Sequence, residues 1–371
     1  MTTAKARAVA FYLPQFHPIP ENNAWWGKGF TEWTNTAKAQ AMFRGHYQPH
    51  VPADLGFYDL RVPEARVQQA DLARSFGIEA FCYYHYWFAG RRILERPFDE
   101  VLASGQPDFP FCLCWANETW TGIWHGAPKR ILIEQTYPGP EDHKRHFQSL
   151  LPAFRDHRYL RVGGVPAFVV YKPHEVWEPR AFIDQWKVMA KQAGLGGLHI
   201  VGYETTVAGP ELIAMGYDAV IKAPLIKSRT WVSAWNSRRN PRVWVRNKLD
   251  HLRGMPQIYD YQAWAQGNVP HRVDGHISYP CVVHAWDNTP RSGANAVVLH
   301  NPDPEAFRGL LSAAVAAVSE YGADQQLVFL KSWNEWAEGN HLEPDLRYGT
   351  AYLQVVADVM RDGAARMICR A

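Results

Sequence analysis

The chain has 371 residues, of which 47% are hydrophobic, and 39 Lys and Arg against 36 Asp and Glu leave a formal net charge of +3. This near balance argues against nucleic acid as the main partner, because nucleic-acid-binding proteins carry a clear basic excess. No apolar run of about 18 residues occurs and the first ten residues lack the apolar core of a secretory signal, so we expect no membrane-spanning segment and a cytoplasmic location.

Eight short apolar segments alternate with helix-like segments, a pattern typical of a parallel α/β fold. Most of them are apolar almost throughout, as expected for strands covered on both faces. The predicted strands are Ala8–Leu13, Glu79–Tyr84, Phe111–Trp115, Pro166–Tyr171, His199–Tyr203, Asp218–Ile221, Cys281–Trp286 and Leu327–Lys331.

The segments between these strands have the start and stop signals of helices. The segment from Pro63 to Phe76 begins with proline and stops at Gly77, which is the usual asymmetry of helix ends. The other predicted helices are Pro97–Ser104, Glu141–Phe154, Pro179–Ala193, Pro210–Met215, Pro304–Tyr321 and Gly349–Arg361.

Two long excursions interrupt the alternation. One follows the first strand, from Pro14 to Leu60, and the other runs from Pro224 to His276, with predicted helices near Arg242–Leu252 and Tyr259–Ala265. A basic stretch in the second excursion is either a solvated helix face or a guide for an acidic polysaccharide or lipid phosphate. Its members are Arg238, Arg239, Arg242, Arg246, Lys248 and Arg253.

These elements predict a single α/β domain over residues 1–371, a (β/α)8 barrel of the TIM type with long loops after strands one and six and an insertion at about 224–276. The competing fold is a doubly wound open sheet. It is disfavoured because no Gly-x-Gly-x-x-Gly fingerprint follows the first strand.

Polar and aromatic residues collect at the carboxyl ends of the predicted strands, where barrels carry their functional groups. The candidate ligand contacts are His85, Tyr86, Trp115, Asn117, Glu118, Tyr171, Tyr203, His284, Asp287 and Arg291. Structural alternatives stay open for several of them. His85 can be a satisfied core histidine, Glu118 can pair with Lys172 or Lys222, and Asp287 and Arg291 can brace a loop.

The eighth predicted strand runs into Trp333-Asn334-Glu335-Trp336-Ala337-Glu338. Carboxyl groups move protons at a glycosidic oxygen and aromatic rings stack on sugar faces, so this motif predicts a carbohydrate site. Glu335 and Glu338 are the candidate catalytic acids, Trp333 and Trp336 the candidate stacking rings, and Asn334 a residue that orients the acids. The alternative is that the tryptophans belong to the core and the glutamates to a solvated turn.

The five cysteines give no sign of a disulfide framework or a metal site. Cys82, Cys112, Cys114 and Cys281 lie inside apolar runs, as small buried hydrophobes do, and Cys369 leaves the number odd. We therefore expect neither a metal nor a cofactor.

Several motifs resemble the WbsX-type family, over a region from about Phe11 to Leu353. They are Phe11-Tyr12-Leu13-Pro14-Gln15-Phe16-His17, Trp25-Trp26-Gly27, Phe30-Thr31-Glu32-Trp33, Trp115-Ala116-Asn117-Glu118, Trp333-Asn334-Glu335-Trp336-Ala337-Glu338-Gly339 and Leu342-Glu343-Pro344-Asp345. The resemblance implies a place among bacterial surface-polysaccharide proteins, which are often described as glycosyltransferases.

That family is in turn similar to the family-99 glycoside hydrolases, retaining mannose-cleaving enzymes built on a (β/α)8 barrel. The resemblance implies that Glu335 acts as a base toward the sugar 2-hydroxyl, giving a 1,2-anhydro sugar, and that Glu338 acts as general acid and then base. It also implies that Asp287-Asn288-Thr289-Pro290-Arg291 contacts sugar. The loop after the first strand and the insertion after the sixth differ from those enzymes, so mannose specificity does not follow.

This chemistry makes opposite demands on the two acids. Glu338 needs a raised pKa so that it holds a proton, and Glu335 must stay ionised. The leading hypothesis is thus a retaining glycoside hydrolase that acts on a bacterial polysaccharide or oligosaccharide. A glycosyltransferase or transglycosylase and a non-catalytic carbohydrate-binding protein are the alternatives, and no Asp-x-Asp nucleotide motif supports the transferase.

Overall fold

The computed structural model describes residues 6–122, 127–204, 207–224, 226 and 253–368. Within these ranges eight parallel strands form the main sheet. They are β1 (Arg7–Tyr12), β2 (Ile78–His85), β3 (Phe111–Trp115), β4 (Val165–Val170), β5 (His199–Glu204), β6 (Ala219–Lys222), β7 (Ser278–Val283) and β8 (Leu327–Lys331). Each strand pairs with its neighbours in chain order, and β8 pairs with β1, so the sheet closes on itself. The predicted (β/α)8 barrel is therefore confirmed.

Large side chains fill the barrel interior. Phe11 of β1 lies 5.6 Å from Tyr84 of β2, 5.7 Å from Tyr203 of β5 and 5.5 Å from Phe329 of β8, as distances between ring centroids. Contacts from one strand to distant strands of the same sheet are possible only because the barrel is closed, with inward side chains meeting near its axis. The four cysteines at 82, 112, 114 and 281 are buried as free thiols, as expected.

Helices surround the barrel and fill the first excursion. They are α1 (Pro20–Trp26), α2 (Glu32–Ala37), α3 (Pro63–Ser75), α4 (Arg96–Ser104), α5 (Pro140–Arg155), α6 (Pro179–Gln192), α7 (Gly209–Ala214), α8 (Tyr261–Gln266), α9 (Thr289–Ser292), α10 (Pro304–Val318) and α11 (Ala351–Ile368). Most begin with proline at the first or second position, where its fixed φ suits the helix and its missing N–H costs no hydrogen bond. Their apolar faces cover the strands: Trp186 of α6 packs on Phe147 of α5 and Phe168 of β4.

Short strands and turns decorate the barrel ends. The paired ones are Trp87–Phe88 with Arg91–Arg92, Trp120–Gly122 with Ala127–Ile133, Arg161–Val162 with β4, and Asn334–Glu335 with Asn340–His341. A three-stranded sheet joins Gln257–Asp260, Val297–His300 and Trp286–Asp287. The 3-10 turns are Gly293–Asn295, Ala323–Gln325 and Trp336–Glu338.

Some predicted boundaries are wrong. The strand predicted at Cys281–Trp286 begins at Ser278, so it includes Pro280, a residue that cannot donate to the ladder. The helix predicted at Tyr259–Ala265 starts only at Tyr261, because Asp260 ends a strand and caps the helix by accepting a hydrogen bond from Ala263 N at 2.9 Å. α1, α2 and the strand Val297–His300 were not predicted.

The helix predicted near Arg242–Leu252 lies outside the described residues, as does the basic stretch except for Arg253. In the part of the chain that the structure describes, no helix combines the length and the apolar character needed to cross a bilayer.

Candidate active site

The two candidate acids lie on one hairpin that follows β8. The strand Asn334–Glu335 pairs with Asn340–His341, and the 3-10 turn Trp336–Glu338 joins them. Glu335 ends the strand and Glu338 ends the turn, and a hydrogen bond between their side chains brings the two carboxyls together. The hairpin closes at Gly339, which has φ of +58°, a value that favours glycine.

Glu335 is the more deeply buried acid, with 4% of its surface exposed. Burial, and after it the charge of Glu338 and its hydrogen bond to Glu335, raise the pKa of Glu335 to about 8. The Lys331 ammonium, whose Nζ lies 3.8 Å from Glu335 Oε2, partly offsets this effect. Glu335 therefore holds a proton at neutral pH.

Glu338 is the ionised partner. Burial alone would raise its pKa, but the Arg291 guanidinium, with Nη1 2.6 Å from Glu338 Oε1, outweighs burial together with the hydrogen bond from Glu335, and the pKa lies below its usual value. The two carboxyls thus share one proton, and its resting position is the reverse of the one the sequence led us to expect. The reason is the placement of Arg291, which the sequence does not reveal.

Arg291 joins Glu338 to a third carboxylate that the sequence analysis did not propose for the site. Glu32 of α2, 1% exposed, accepts from Arg291 Nη2 at 2.9 Å and from Nε at 3.2 Å. The motif Phe30-Thr31-Glu32-Trp33 offered one signal, since it places an acid beside tryptophan as Glu335-Trp336 does. Arg291 therefore forms a clamp: it links the excursion after β1, which carries Glu32, to the hairpin after β8, which carries Glu338.

The two tryptophans of the motif are core residues, with 0% of Trp333 and 1% of Trp336 exposed. Trp333 packs on Phe81, and Trp336 stacks on His341 with ring centroids 3.6 Å apart and planes 9° apart. The expectation that both rings stack on a sugar is thus not met, because both rings are buried among protein side chains. The alternative of core tryptophans and solvated glutamates is correct for the tryptophans. It is wrong for Glu335, which is buried.

A further buried carboxyl, Glu343, fixes the orientation of Trp336. Its Oε2 accepts from Trp336 Nε1 at 2.6 Å and from the Tyr58 hydroxyl at 2.8 Å, and its Oε1 accepts from Gln69 Nε2 at 2.6 Å. Burial raises the pKa of Glu343 to about 7, opposed by these donors. Glu343 is 1% exposed, and its hydrogen bonds connect Trp336 of the hairpin to Tyr58 and Gln69.

Two asparagines among the candidate residues form hydrogen bonds that fix the backbone of neighbouring segments. Asn334 Oδ1 accepts from Leu13 N at 2.7 Å and its Nδ2 donates to Leu13 O at 3.1 Å, so it ties the hairpin to the end of β1. Asn117 makes the equivalent pair with Lys172 N and O, both at 2.8 Å. Both residues are 0% exposed, so they position neighbours rather than reach a ligand.

Asp287 also has a bracing role. Its Oδ2 accepts from His46 Nε2 at 2.6 Å and Gln48 Nε2 at 2.8 Å, and its Oδ1 accepts from Thr289 N and Oγ1. His46 Nδ1 accepts from Met42 N at 3.0 Å, which places the proton on Nε2. Four donors from the protein already occupy this carboxylate, so of the pair Asp287 and Arg291 only the arginine reaches the acids.

The predicted histidines are buried and partnered. His85 Nε2 lies 2.8 Å from His146 Nε2, the satisfied core arrangement left open above, and Trp115 is 1% exposed beside them. His284 Nε2 donates to His341 O at 2.8 Å, which steadies the hairpin from the β7 side.

Two tyrosines complete the candidates: Tyr203 is buried in the barrel interior, with 3% of its surface exposed, and Tyr171 is partly buried beside it. Tyr171 and Tyr203 have ring centroids 5.0 Å apart, and both interact electrostatically with Glu335.

A cavity of about 250 Å³ opens beside Glu32. Its lining is Gln15, Asn22, Trp26, Phe30, Glu32, Glu118, Thr119, Trp120, Thr121 and Leu132.

Of the candidate residues, Glu118 lines this cavity and Tyr86 contacts two residues that line it, Gln15 and Trp120. Glu118 lines it and pairs with Lys172 at 3.2 Å, one of the two lysines proposed. The Tyr86 hydroxyl accepts from Gln15 Nε2 at 2.9 Å, and its ring meets Trp120 edge-on at 5.2 Å. The aromatic residues that line the cavity are Trp26, Phe30 and Trp120, and no residue of the motif Trp333–Glu338 lines it.

Solved structures with a similar fold include a glycoside hydrolase-like protein, with a TM-score of 0.59 and 14% identity over 97% of this chain and 95% of the other. The GH99 endo-alpha-mannosidase from Bacteroides thetaiotaomicron has TM-scores of 0.54 and 0.55 in two structures, at 15% and 14% identity, over 98% of this chain and 99% of that one. At these identities the similarity concerns the fold.

Sequence relatives are closer. The uncharacterized protein WxcX of Xanthomonas campestris pv. campestris, from two strains, is 39% identical over 360 residues, which cover 96% of this chain. The chain spans about half the length of these curated relatives, 50% in each case. Residues 8–356 match the family model described as "Glycosyltransferase WbsX", and the chain therefore belongs to the WbsX family.

Proposed function

We propose that this protein is a retaining glycoside hydrolase that acts on a bacterial polysaccharide or oligosaccharide. The observation that carries the proposal is the buried pair Glu335 and Glu338, which shares one proton next to the Arg291 clamp. A carboxyl and a carboxylate side by side can give and take protons at neutral pH, as glycosidic cleavage requires.

In the proposed reaction Glu335 removes the proton of the sugar 2-hydroxyl, and the resulting oxygen attacks the anomeric carbon. The bond from that carbon to the leaving oxygen breaks, and Glu338 protonates the leaving oxygen. Water then opens the 1,2-anhydro ring at the anomeric carbon, giving its proton to Glu338, while O2 takes a proton back from Glu335. Two inversions retain the anomeric configuration.

The resting proton lies on the other acid, so the pair must rearrange before the first step. We propose that it moves from Glu335 to Glu338 along the hydrogen bond between them when a sugar binds. A 2-hydroxyl that donates to Glu335 favours its anion, and exclusion of water around Glu338 favours its neutral form. The two acids then have the roles that the family resemblance implies.

The cavity next to Glu32 is the proposed sugar-binding region. At about 250 Å³ it is smaller than the roughly 300–1,000 Å³ typical of drug-sized ligands, so we expect it to hold one sugar ring while the rest of the substrate extends away. Trp26 and Trp120 supply the stacking surfaces, and Gln15, Asn22 and Glu118 supply polar contacts.

The decisive experiment uses aryl glycosides with good and poor leaving groups, beside natural oligosaccharides. We expect Glu338→Gln to abolish cleavage of poor leaving groups and to keep cleavage of good ones, because a good leaving group needs no proton. Glu335→Gln should abolish both. The reverse pattern would exchange the roles of the two acids, and unchanged hydrolysis in both variants would refute the proposal.

Sugar transfer is the second candidate, favoured by the family description. It predicts consumption of a sugar nucleotide, or transfer to a second saccharide in place of water. Incubation with sugar nucleotides and with acceptor oligosaccharides, followed by product analysis, distinguishes it from hydrolysis.

A further inference from the structure

A second cluster of polar side chains lies behind the acid hairpin. His50 Nδ1 is 2.8 Å from His341 Nε2, and Asp345 Oδ2 is 3.8 Å from the same His341 nitrogen. One ligand atom of each residue lies within 4.8 Å of the others. The residues are 7%, 6% and 3% exposed, so this is an interior arrangement and not a patch of surface charge.

We propose that His50, His341 and Asp345 form a binding site for a divalent transition-metal ion of the Zn²⁺ class. Two imidazole nitrogens and one carboxylate oxygen are the ligands such ions prefer, whereas Ca²⁺ and Mg²⁺ prefer oxygen alone. The sequence does not indicate this site, since His50 and His341 are 291 residues apart.

The ligands are already oriented by other contacts. His341 Nδ1 donates to Glu343 O at 2.9 Å, which leaves the lone pair of a neutral His341 on Nε2, facing His50. Asp345 Oδ1 accepts from Arg347 N at 2.9 Å and Tyr348 N at 2.6 Å, so its Oδ2 is the oxygen turned toward the histidines.

The backbone holds the two contributing segments together. Ala53 N donates to Pro344 O at 2.9 Å and Leu346 N donates to Val51 O at 3.0 Å. With metal–ligand bonds near 2.0–2.1 Å, tetrahedral ligand atoms lie about 3.3 Å apart. The two separations from His341, 2.8 Å to His50 and 3.8 Å to Asp345, each differ from this value by about half an ångström, and all three ligand atoms lie within 4.8 Å of one another. The metal would link the loop after β1 to the loop after β8.

A small cavity of about 20 Å³ borders His50, His284, His341 and Asp345. That volume suffices for one water molecule, which would complete a four-coordinate site. Because His341 stacks on Trp336, the ion would also steady the turn that carries Glu338. Its role is structural, and it takes no part in the proposed proton transfers.

The test measures metal content and affinity in the tag-free 371-residue chain after chelation and titration with Zn²⁺. The variants are His50→Gln and Asp345→Asn, and the control is His199→Gln, a histidine equally exposed at 7% that begins β5. We expect about one equivalent of Zn²⁺ and a higher melting temperature with metal in the wild type and the control, and binding about tenfold weaker or worse in the two site variants.

Equal uptake by all four proteins, or none by the folded wild type, would overturn the proposal. Titration of the wild type with Co²⁺ keeps the test decisive if a site variant does not fold. Four- or five-coordinate Co²⁺ with nitrogen ligands gives intense visible absorption bands, whereas bands typical of hexaaqua Co²⁺ would refute the site.

Discussion

Arg291 Nη1 lies 2.6 Å from Glu338 Oε1, and this contact decides which of the paired carboxyls is ionised in the resting protein. The same guanidinium is held from the other side by Glu32. The order of acidity on the hairpin is thus imposed by groups outside it, and changes to those groups should move the pH dependence without touching either acid.

Arg291→Lys should raise the pKa of Glu338. Lysine keeps the charge but cannot contact two carboxylates with a planar fork, so its stabilisation of the Glu338 anion is weaker. The acidic limb of the pH–kcat/KM profile should move to higher pH, and kcat/KM should fall by about 10–100-fold. Carbon-13 NMR titration of labelled glutamates, assigned with Glu338→Gln, measures the pKa directly. An unchanged Glu338 titration would contradict this role for Arg291.

The proton on Glu335 should set the basic limb. Glu335 keeps its proton below about pH 8, and rising pH leaves two adjacent anions with no proton for the leaving group, so kcat/KM should fall above that value. Lys331→Met should move this limb to higher pH, because Lys331 lowers the pKa of Glu335. Lys172→Met, which removes the partner of Glu118, is the control and should leave the limb in place.

The protonation of Glu335 should also affect how the melting temperature depends on pH. The pKa of Glu335 is higher in the folded protein, about 8, than the ordinary 4.5, so its contribution is complete below pH 4.5 and is lost as pH rises to 8. The melting temperature of Glu335→Gln should therefore gain on the wild type between pH 5 and pH 8. Calorimetry across this range checks the sign, and a constant difference would show that Glu335 does not titrate there.

Glu343→Gln should destabilise the protein by about 1–3 kcal/mol, since an amide offers one acceptor where three donors converge. Gln69 cannot simply turn over, because its Oε1 accepts from Tyr12 at 2.7 Å. Urea unfolding measures the loss. The control Glu64→Gln alters an exposed glutamate in the first turn of α3 and should change stability by less than about 0.5 kcal/mol.

Gly339→Ala should push the hairpin after β8 away from the loop that carries Asp287. A Cβ there would lie 2.9 Å from Asp287 Cβ and 3.0 Å from Asp287 N. Gly56 has nearly the same φ, +59° against +58°, with nothing within 4 Å of an added Cβ. Gly56→Ala should therefore cost only the backbone term of about 1–2 kcal/mol, and Gly339→Ala about 1–3 kcal/mol more. Equal losses in urea unfolding would show that the Asp287 loop yields freely.

The barrel could be predicted because its signals are local. Eight apolar segments and proline-first helices are visible in short windows, and the residues at strand ends follow from the architecture. The direction of side chains beyond the strands could not be predicted. Trp336 is held inward by the 3-10 turn and by its hydrogen bond to Glu343, and Trp333 is buried against Phe81. None of these contacts can be recognised from spacing.

Contacts over long sequence separations were the other gap. Glu32 meets Arg291 across 259 residues and His50 meets His341 across 291, so no motif joins the partners. The pKa order of Glu335 and Glu338 depends on one of these contacts. The acids themselves were found because two carboxyls beside tryptophans are visible in one short segment.

The excursion after β1 contributes Glu32, His46, Gln48, His50 and Tyr58, and each of them has a side-chain partner at Asp287 or later. On the ribosome these five residues emerge long before those partners. A barrel that lacks its last two strands therefore also lacks the contacts of Arg291 with Glu32 and Glu338. Activity should arise in a single late step of synthesis, and fragments cut before the last two strands should be inert whether or not they fold.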